Sequence, residues 1–402
     1  MLNEMMTDKQ IIYLDNAAST PVIEEVIDEM IPYLGNLFGN PSSIHQFGRK
    51  SKLAIQRSRK KVADLIGAKP NEIFFTSGGT ESDNLALKGL SKFYRDKDKD
   101  KNHIITSVME HDAVLETCGE LESDGFEVTY LEVGREGVVN PETIKKFLSK
   151  RTILVSIMLV NNEVGTIQPV RKLAEITHEY NKNIIFHTDA VQGVGKIPID
   201  INNLNVDSLS ISSHKINGPK GVGALYVRNE IGFKPLIHGG GQEYGLRSGT
   251  ENVHGIIGFG KACEISLKNL KKNYDFLTNL RNYLIEKILS QVSGSHLNGS
   301  VDKRIPTNTN FTFFGINGED LIIKLDEYGI LASTGSACSM NKKKASHVLK
   351  AMGLDHEEIS GSVRFSIGIQ NTKEELDKTI EILVKRVQEL REISPFKSKY
   401  SL

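Results

Sequence analysis

The sequence has little cysteine. Cys118, Cys263 and Cys338 are its three cysteines in 402 residues, too few and too scattered for a disulfide framework and without the paired spacing of a zinc site. A reducing compartment is expected, and no metal site. Charge of one sign is not in excess either, since 50 Lys+Arg balance 50 Asp+Glu. A chain with no overall basic field has nothing general to hold nucleic acid or an anionic membrane, so small molecules are the expected substrates. No stretch approaches the ~18 consecutive apolar residues of a membrane span. The first ten residues, MLNEMMTDKQ, lack the basic start and apolar run of a secretory signal. A cytoplasmic protein is therefore expected, with no direct nucleic-acid partner and no membrane. There is also no internal repeat and no low-complexity linker.

What is present is ordinary globular composition, 39% hydrophobic and 25% charged, which excludes a disordered chain. The length suits two or three domains, or one large and one small. Short runs rich in Ile, Val, Phe and Ser recur between segments of helical period: Glu72–Thr76, His103–Val108, Ile153–Val160, Asn183–Thr188, Val206–Ser212 and Gly223–Val227. This alternation predicts an α/β fold with a mostly parallel central sheet, and runs as apolar as ILVSIMLV suit strands covered on both faces. Ile23, Val26, Ile27, Met30 and Leu34 predict an amphipathic helix just after Pro21. A longer one is predicted from Cys263 to about Val292, on Leu270, Tyr274, Leu277, Leu284 and Ile288. A domain change is placed at its start, giving a large domain over 22–262 and a smaller α+β domain formed by 1–21 and 263–402, which carries the Cys338 loop.

In an open parallel sheet the loops at the carboxyl edge form the binding crevice, so polar residues that follow each apolar run are the candidates. After EIFFT, Gly78, Gly79 and Thr80 open a helix and could cradle a phosphate, or be an ordinary turn with an N-cap. Asp189 ends one strand with Gln192 three residues on; by itself it could cap the next helix. Ser212, His214 and Lys215 end another, and Lys215 is either a Schiff-base former or a surface lysine. Together Thr80, Asp189 and Lys215 supply the three attachments that pyridoxal phosphate needs: a phosphate cradle, an acid for the pyridinium proton and an amine. NAD fits less well, because Gly218, Gly221 and Gly223 precede a strand, and no P-loop or G-x-S-x-G elbow exists. Cys338, in GSACS before the Lys342–Lys344 triplet, is either a small buried residue or an exposed thiol favoured as thiolate by nearby positive charge.

DNAASTP (Asp15–Pro21), NPSSIH (Asn40–His45), TSGGTESDN (Thr76–Asn84), EHDAVLETC (Glu110–Cys118), NNEVGTIQP (Asn161–Pro169), HTDAVQGVGK (His187–Lys196), SSHKINGPKGVGALY (Ser212–Tyr226), HGGGQEYGLRSGTEN (His238–Asn252) and TGSACS (Thr334–Ser339) together resemble the cysteine desulfurases. These are pyridoxal-phosphate enzymes of the class V aminotransferase superfamily, with fold type I architecture, and the similarity runs from about residue 11 to about residue 385. The cysteine context resembles the long-loop branch that serves iron–sulfur cluster assembly. The resemblance implies that Lys215 holds the cofactor covalently, that Asp189 pairs with the pyridine nitrogen and that Gln192 bonds the ring hydroxyl. It further implies phosphate contacts from Gly79, Thr80, Ser212 and His214, with Thr250 reaching the phosphate of a neighbouring subunit in a homodimer. His111 would stack on the ring and exchange protons with the substrate thiol, and Asn162 would lie near the ring hydroxyl and the substrate carboxylate. Arg364 would grip that carboxylate. Cys338 would take sulfur from L-cysteine as a persulfide, leaving alanine, and pass it to a sulfur-acceptor protein such as an iron–sulfur scaffold. The alternative is a selenocysteine lyase or another class V enzyme of the same fold.

Overall fold

The computed structural model describes residues 11–335 and 345–394. Strand β1 (Ile12–Tyr13) is followed by helices α1 (Glu24–Leu34) and α2 (Gln46–Ile66). Alternation then begins with β2 (Ile73–Thr76), α3 (Gly79–Lys97), β3 (His103–Ser107), α4 (Asp112–Ser123) and β4 (Glu127–Leu131). It continues through α5 (Pro141–Ile144), β5 (Thr152–Ser156), α6 (Val170–Tyr180), β6 (Ile185–Asp189), α7 (Ile201–Leu204), β7 (Ser208–Ser212) and β8 (Gly223–Val227). After these come α8 (Val253–Gln291), β9 (Ser295–Leu297), β10 (Asn308–Phe313), α9 (Gly318–Asp326) and β11 (Ile330–Leu331). The last elements are α10 (His347–Ala351), α11 (His356–Ser360), β12 (Ser362–Ser366) and α12 (Lys373–Ile393).

The central sheet has seven strands in the order β2-β8-β7-β6-β5-β3-β4. Its β4, β3, β5, β6 and β7 run parallel, and only β8 is antiparallel to its neighbours β7 and β2. The strands β2, β3, β5, β6, β7 and β8 are buried along their whole length, as strands covered on both faces must be. One core lies on each face of the sheet. A separate core joins β1, the second half of α8 and α12 to the antiparallel sheet β12-β10-β9. This α+β layer also holds the short parallel pair β1–β11. No helix among the described residues is long and apolar enough to cross a membrane.

The structure corrects several boundaries. The apolar run Ile153–Val160 is a strand only to Ser156; Ile157–Val160 continue past the sheet edge, and Val160 bridges to Ile167 instead. Helix α8 starts at Val253, ten residues before the predicted Cys263. Glycines obscured its period, and their reason is packing. A Cβ at Gly260 would come within 2.7 Å of the Ser58 Cα on α2, and one at Gly258 within 2.5 Å of the Met30 Sδ on α1. In α1 only Val26 is buried, and Ile27 and Leu34, expected on its core-facing stripe, are exposed. Of the charged run Arg95–Lys101, which composition alone reads as a solvated loop, Arg95–Lys97 form the last turn of α3, where basic side chains suit the helix dipole.

Candidate active site

All parallel-running strands of the central sheet end on one edge, and the candidate residues lie just beyond their ends. Gly79 and Thr80 follow β2, His111 follows β3, Asn162 follows β5, Asp189 and Gln192 lie at and after β6, and Ser212, His214 and Lys215 at and after β7. Arg364 reaches the same place from β12. These ten residues line one cavity of about 610 Å³. Two predicted residues stand apart. Thr250 is exposed and is not part of this lining, and Cys338 lies outside the described residues, although Gly335, just before it, lines the cavity.

Each wall of the cavity has a chemical character. Helix α3 opens at Gly79, and its first intrahelical bond is from Ser82 N–H to the Gly78 carbonyl, so the N–H groups of Gly79, Thr80 and Glu81 precede the helical ladder. Three such donors at the positive end of a 19-residue helix form an anion site. The loop before α3 passes close to β8 here: a Cβ at Gly223 would sit 2.8 Å from Gly78. Burial holds the His214 pKa down at about 4, assisted by the charges of Lys215, Lys220 and Lys196, so this ring is a neutral hydrogen-bonding group.

Asp189 is buried at the end of β6, with Oδ1 accepting from the Val191 N–H at 2.9 Å. Burial raises its pKa, and the charges of His111 and Lys215 act the other way. An ionised carboxylate in this position needs a cation, and a pyridinium N–H supplies one. His111 caps α4: its Nδ1 accepts from Ala113 N–H at 3.1 Å, which puts the proton of the neutral ring on Nε2. Lys215, on the short turn after β7, donates from Nζ to the carbonyls of Ala17 and Ala18, each at 2.6 Å. The anion cradle, the buried acid and the lysine thus share one cavity, and the residues fit pyridoxal phosphate.

Sequence reasoning missed the groups that orient these residues. Asp15 pairs with Arg364, and the carbonyls of Ala17 and Ala18 receive Lys215; DNAASTP contains all three, but no charge pattern or period assigns them a role. Glu110 was hidden likewise. Its carboxylate lies behind the cavity, held by Ser107 Oγ at 2.6 Å and by Met158 N–H at 3.0 Å, and burial pushes its pKa up to about 8. Asp83 of α3 is buried beside Asp189 and Glu110, and burial raises its pKa well above the usual carboxylate range.

Fold, sheet-edge crevice and site define a pyridoxal-phosphate enzyme of fold type I. The profile of the aminotransferase class-V family matches residues 12–379. The chain is 51% identical over 394 residues to "Cysteine desulfurase IscS" of Dictyoglomus turgidum, covering 98% of this chain and 99% of that protein. It is 50% identical over 393 residues to the protein of the same name from Methanosarcina thermophila, covering 98% and 96%. Among solved structures, a "NifS-like protein" superposes with a TM-score of 0.89 at 41% identity, over 95% of this chain and 100% of that one. One titled "SspA in complex with cysteine" gives 0.77 at 40% identity, over 88% and 98%. The chain belongs to the aminotransferase class-V family and, within it, to the pyridoxal-phosphate-dependent cysteine desulfurases.

Proposed function

We propose that this chain removes sulfur from L-cysteine, leaving L-alanine and a persulfide on Cys338, and that the sulfur then passes to an acceptor protein such as an iron–sulfur scaffold. The observation that carries the proposal is the single cavity gathering Thr80, His111, Asp189, Lys215 and Arg364 from five separate elements, with Gly335 also in its lining. When bound, pyridoxal phosphate supplies an electron sink that stabilises negative charge at the substrate Cα.

The side chains divide the remaining work. The α3 N-terminus with Ser212 and His214 binds the phosphate, Gln192 the ring hydroxyl, and Thr250 the phosphate of a neighbouring subunit. Asp189 keeps the ring nitrogen protonated. Lys215 would hold the cofactor covalently, and its Nζ would move a proton from the substrate Cα. His111 would stack on the ring and exchange a proton with the substrate thiol at Nε2. Arg364 binds the substrate carboxylate beside Asn162, a task suited to its planar fork. The Cys338 thiolate attacks the substrate sulfur: an S–S bond forms, the C–S bond breaks, and its electron pair goes to the carbon fragment, which takes up a proton and leaves as alanine.

The same proposal includes a cytoplasmic homodimer and the domain division 22–262 against 1–21 with 263–402. Exposed Ile27, Ile31, Leu34 and Phe38 on and after α1 support an oligomer, since apolar surface of this kind is usually covered. The test is alanine release from L-cysteine by Lys215→Ala beside the wild type, with cofactor supplied. Wild-type turnover and a borohydride-sensitive visible band, both absent from the variant, are expected; full activity in Lys215→Ala contradicts the proposal.

A further inference from the structure

Lys196 is a basic group beside the cavity without a part in the reaction proposed above. It follows Gly195, which has a φ of +72° in the segment between β6 and α7. Its Nζ donates to Gln192 Oε1 at 3.1 Å, while Gln192 Nε2 donates to the Ala17 carbonyl at 2.9 Å. A side-chain amide offers one oxygen acceptor and two N–H donors. Lys196 takes one of the two lone pairs of the amide oxygen and Ala17 takes one N–H, which leaves the second N–H as the donor that Gln192 can offer to the cavity it lines. Turning the amide over would set NH₂ against a lysine donor and oxygen against a carbonyl, so both neighbours select one orientation.

The two neighbours are not equivalent. The Ala17 carbonyl also accepts from Lys215 Nζ, a group that must change partners as it holds the cofactor and moves protons. Lys196 holds Gln192 through the amide oxygen, not through the carbonyls of Ala17 and Ala18 that receive Lys215. Lys196 also has no carboxylate partner among the described residues; burial, with the charges of Lys215 and Arg364, brings its pKa down to about 7. A neutral amine can still donate to the Gln192 oxygen, and the Ala17 carbonyl continues to select the same amide orientation when the charge is lost.

We propose that Lys196 is a positioning residue: it locks the Gln192 amide so that a donor, never an acceptor, faces the oxygen on the cofactor ring. The proposal rests on the reading of Gln192 as a ring contact. A donor to that oxygen draws electron density from the ring, so losing it raises the pH midpoint at which the visible band of the bound cofactor titrates.

The test compares holoenzyme of the wild type, Lys196→Met, Gln192→Ala and the double variant by absorbance against pH, with cofactor affinity measured by equilibrium dialysis. Each single substitution is expected to raise the midpoint by about 1 pH unit and to weaken cofactor binding, and the double variant to match Gln192→Ala alone. An unchanged midpoint in Lys196→Met overturns the proposal. So does a shift of undiminished size when Lys196→Met is added to Gln192→Ala, because that is the signature of a charge acting independently of the amide. If Gln192→Ala leaves the wild-type midpoint unmoved, the ring contact itself is wrong and the proposal falls with it. Absence of a borohydride-sensitive band in the wild type identifies failure of the cofactor reading instead.

Discussion

Arg364 and Asp15 form an ion pair at 2.7 Å in the wall of the cavity, the guanidinium side chain only 3% exposed. The fork's other terminal nitrogen donates to the Asn162 carbonyl at 3.0 Å, and Nε is buried with no hydrogen-bond partner among the described residues. A buried donor left without a partner costs free energy, which a carboxylate bonding to it would recover. The pair therefore orients the guanidinium before substrate arrives. Asp15→Asn is predicted to raise KM for L-cysteine about ten-fold with a smaller change in kcat, as loss of about 1.4 kcal/mol of binding requires. Arg364→Lys, which cannot reproduce the fork, is predicted to raise KM at least as much. Steady-state kinetics on both variants check this.

Asp189→Asn keeps the shape of the side chain and removes the anion that would hold a ring proton. Its alanine release is predicted to fall by at least about 10²-fold, the lower end of what a positioned proton contributes. A spectrophotometric titration of cofactor into the variant separates loss of binding from loss of chemistry.

Glu110 makes a prediction about stability. Its folded-state pKa of about 8 lies above the ordinary 4.5, so between these values the folded chain retains a proton that the unfolded chain has released. The stability attributable to Glu110 therefore falls as the pH rises from about 4.5 to about 8. Glu110→Gln removes the titration while a Gln oxygen can still accept from Met158 N–H. The Tm of the wild type minus that of Glu110→Gln is predicted to decline across this window, measured by calorimetry at several pH values.

Cys118 and Cys263 are fully buried, and burial pushes the Cys118 thiol up to about 12 and the Cys263 thiol well above its usual value. Neither forms a thiolate near neutral pH. Brief alkylation of the native enzyme, mapped by mass spectrometry, is predicted to modify Cys338, abolish alanine release and leave both buried thiols unlabelled.

Much of the architecture was legible because period and composition agree in it. The apolar runs ending at Thr76, Asp189 and Ser212 are strands, and the polar residues after them meet at one sheet edge. Helix α12 begins at Lys373, where Thr372 caps it and Glu375 completes the capping box, a start signal carried by the sequence itself. Legibility failed where tertiary packing decides the outcome. The glycines at the start of α8 weaken the apolar period and exist to let α1 and α2 approach. The partners of Arg364 and Lys215 lie in Asp15–Ala18, about 350 and 200 residues away, and no local pattern links such distant positions. Lys196 looks like any lysine until its contact with Gln192 is seen.

The decisive measurement is the fate of sulfur in wild type and Cys338→Ala, each with pyridoxal phosphate and L-cysteine. Mass spectrometry before reductant is added should find one extra sulfur atom on the wild-type peptide containing Cys338. Alanine release should collapse in the variant although its cofactor spectrum is unchanged. Alanine release at the wild-type rate from Cys338→Ala, or no added sulfur on the wild-type peptide during turnover, would contradict sulfur transfer through this residue.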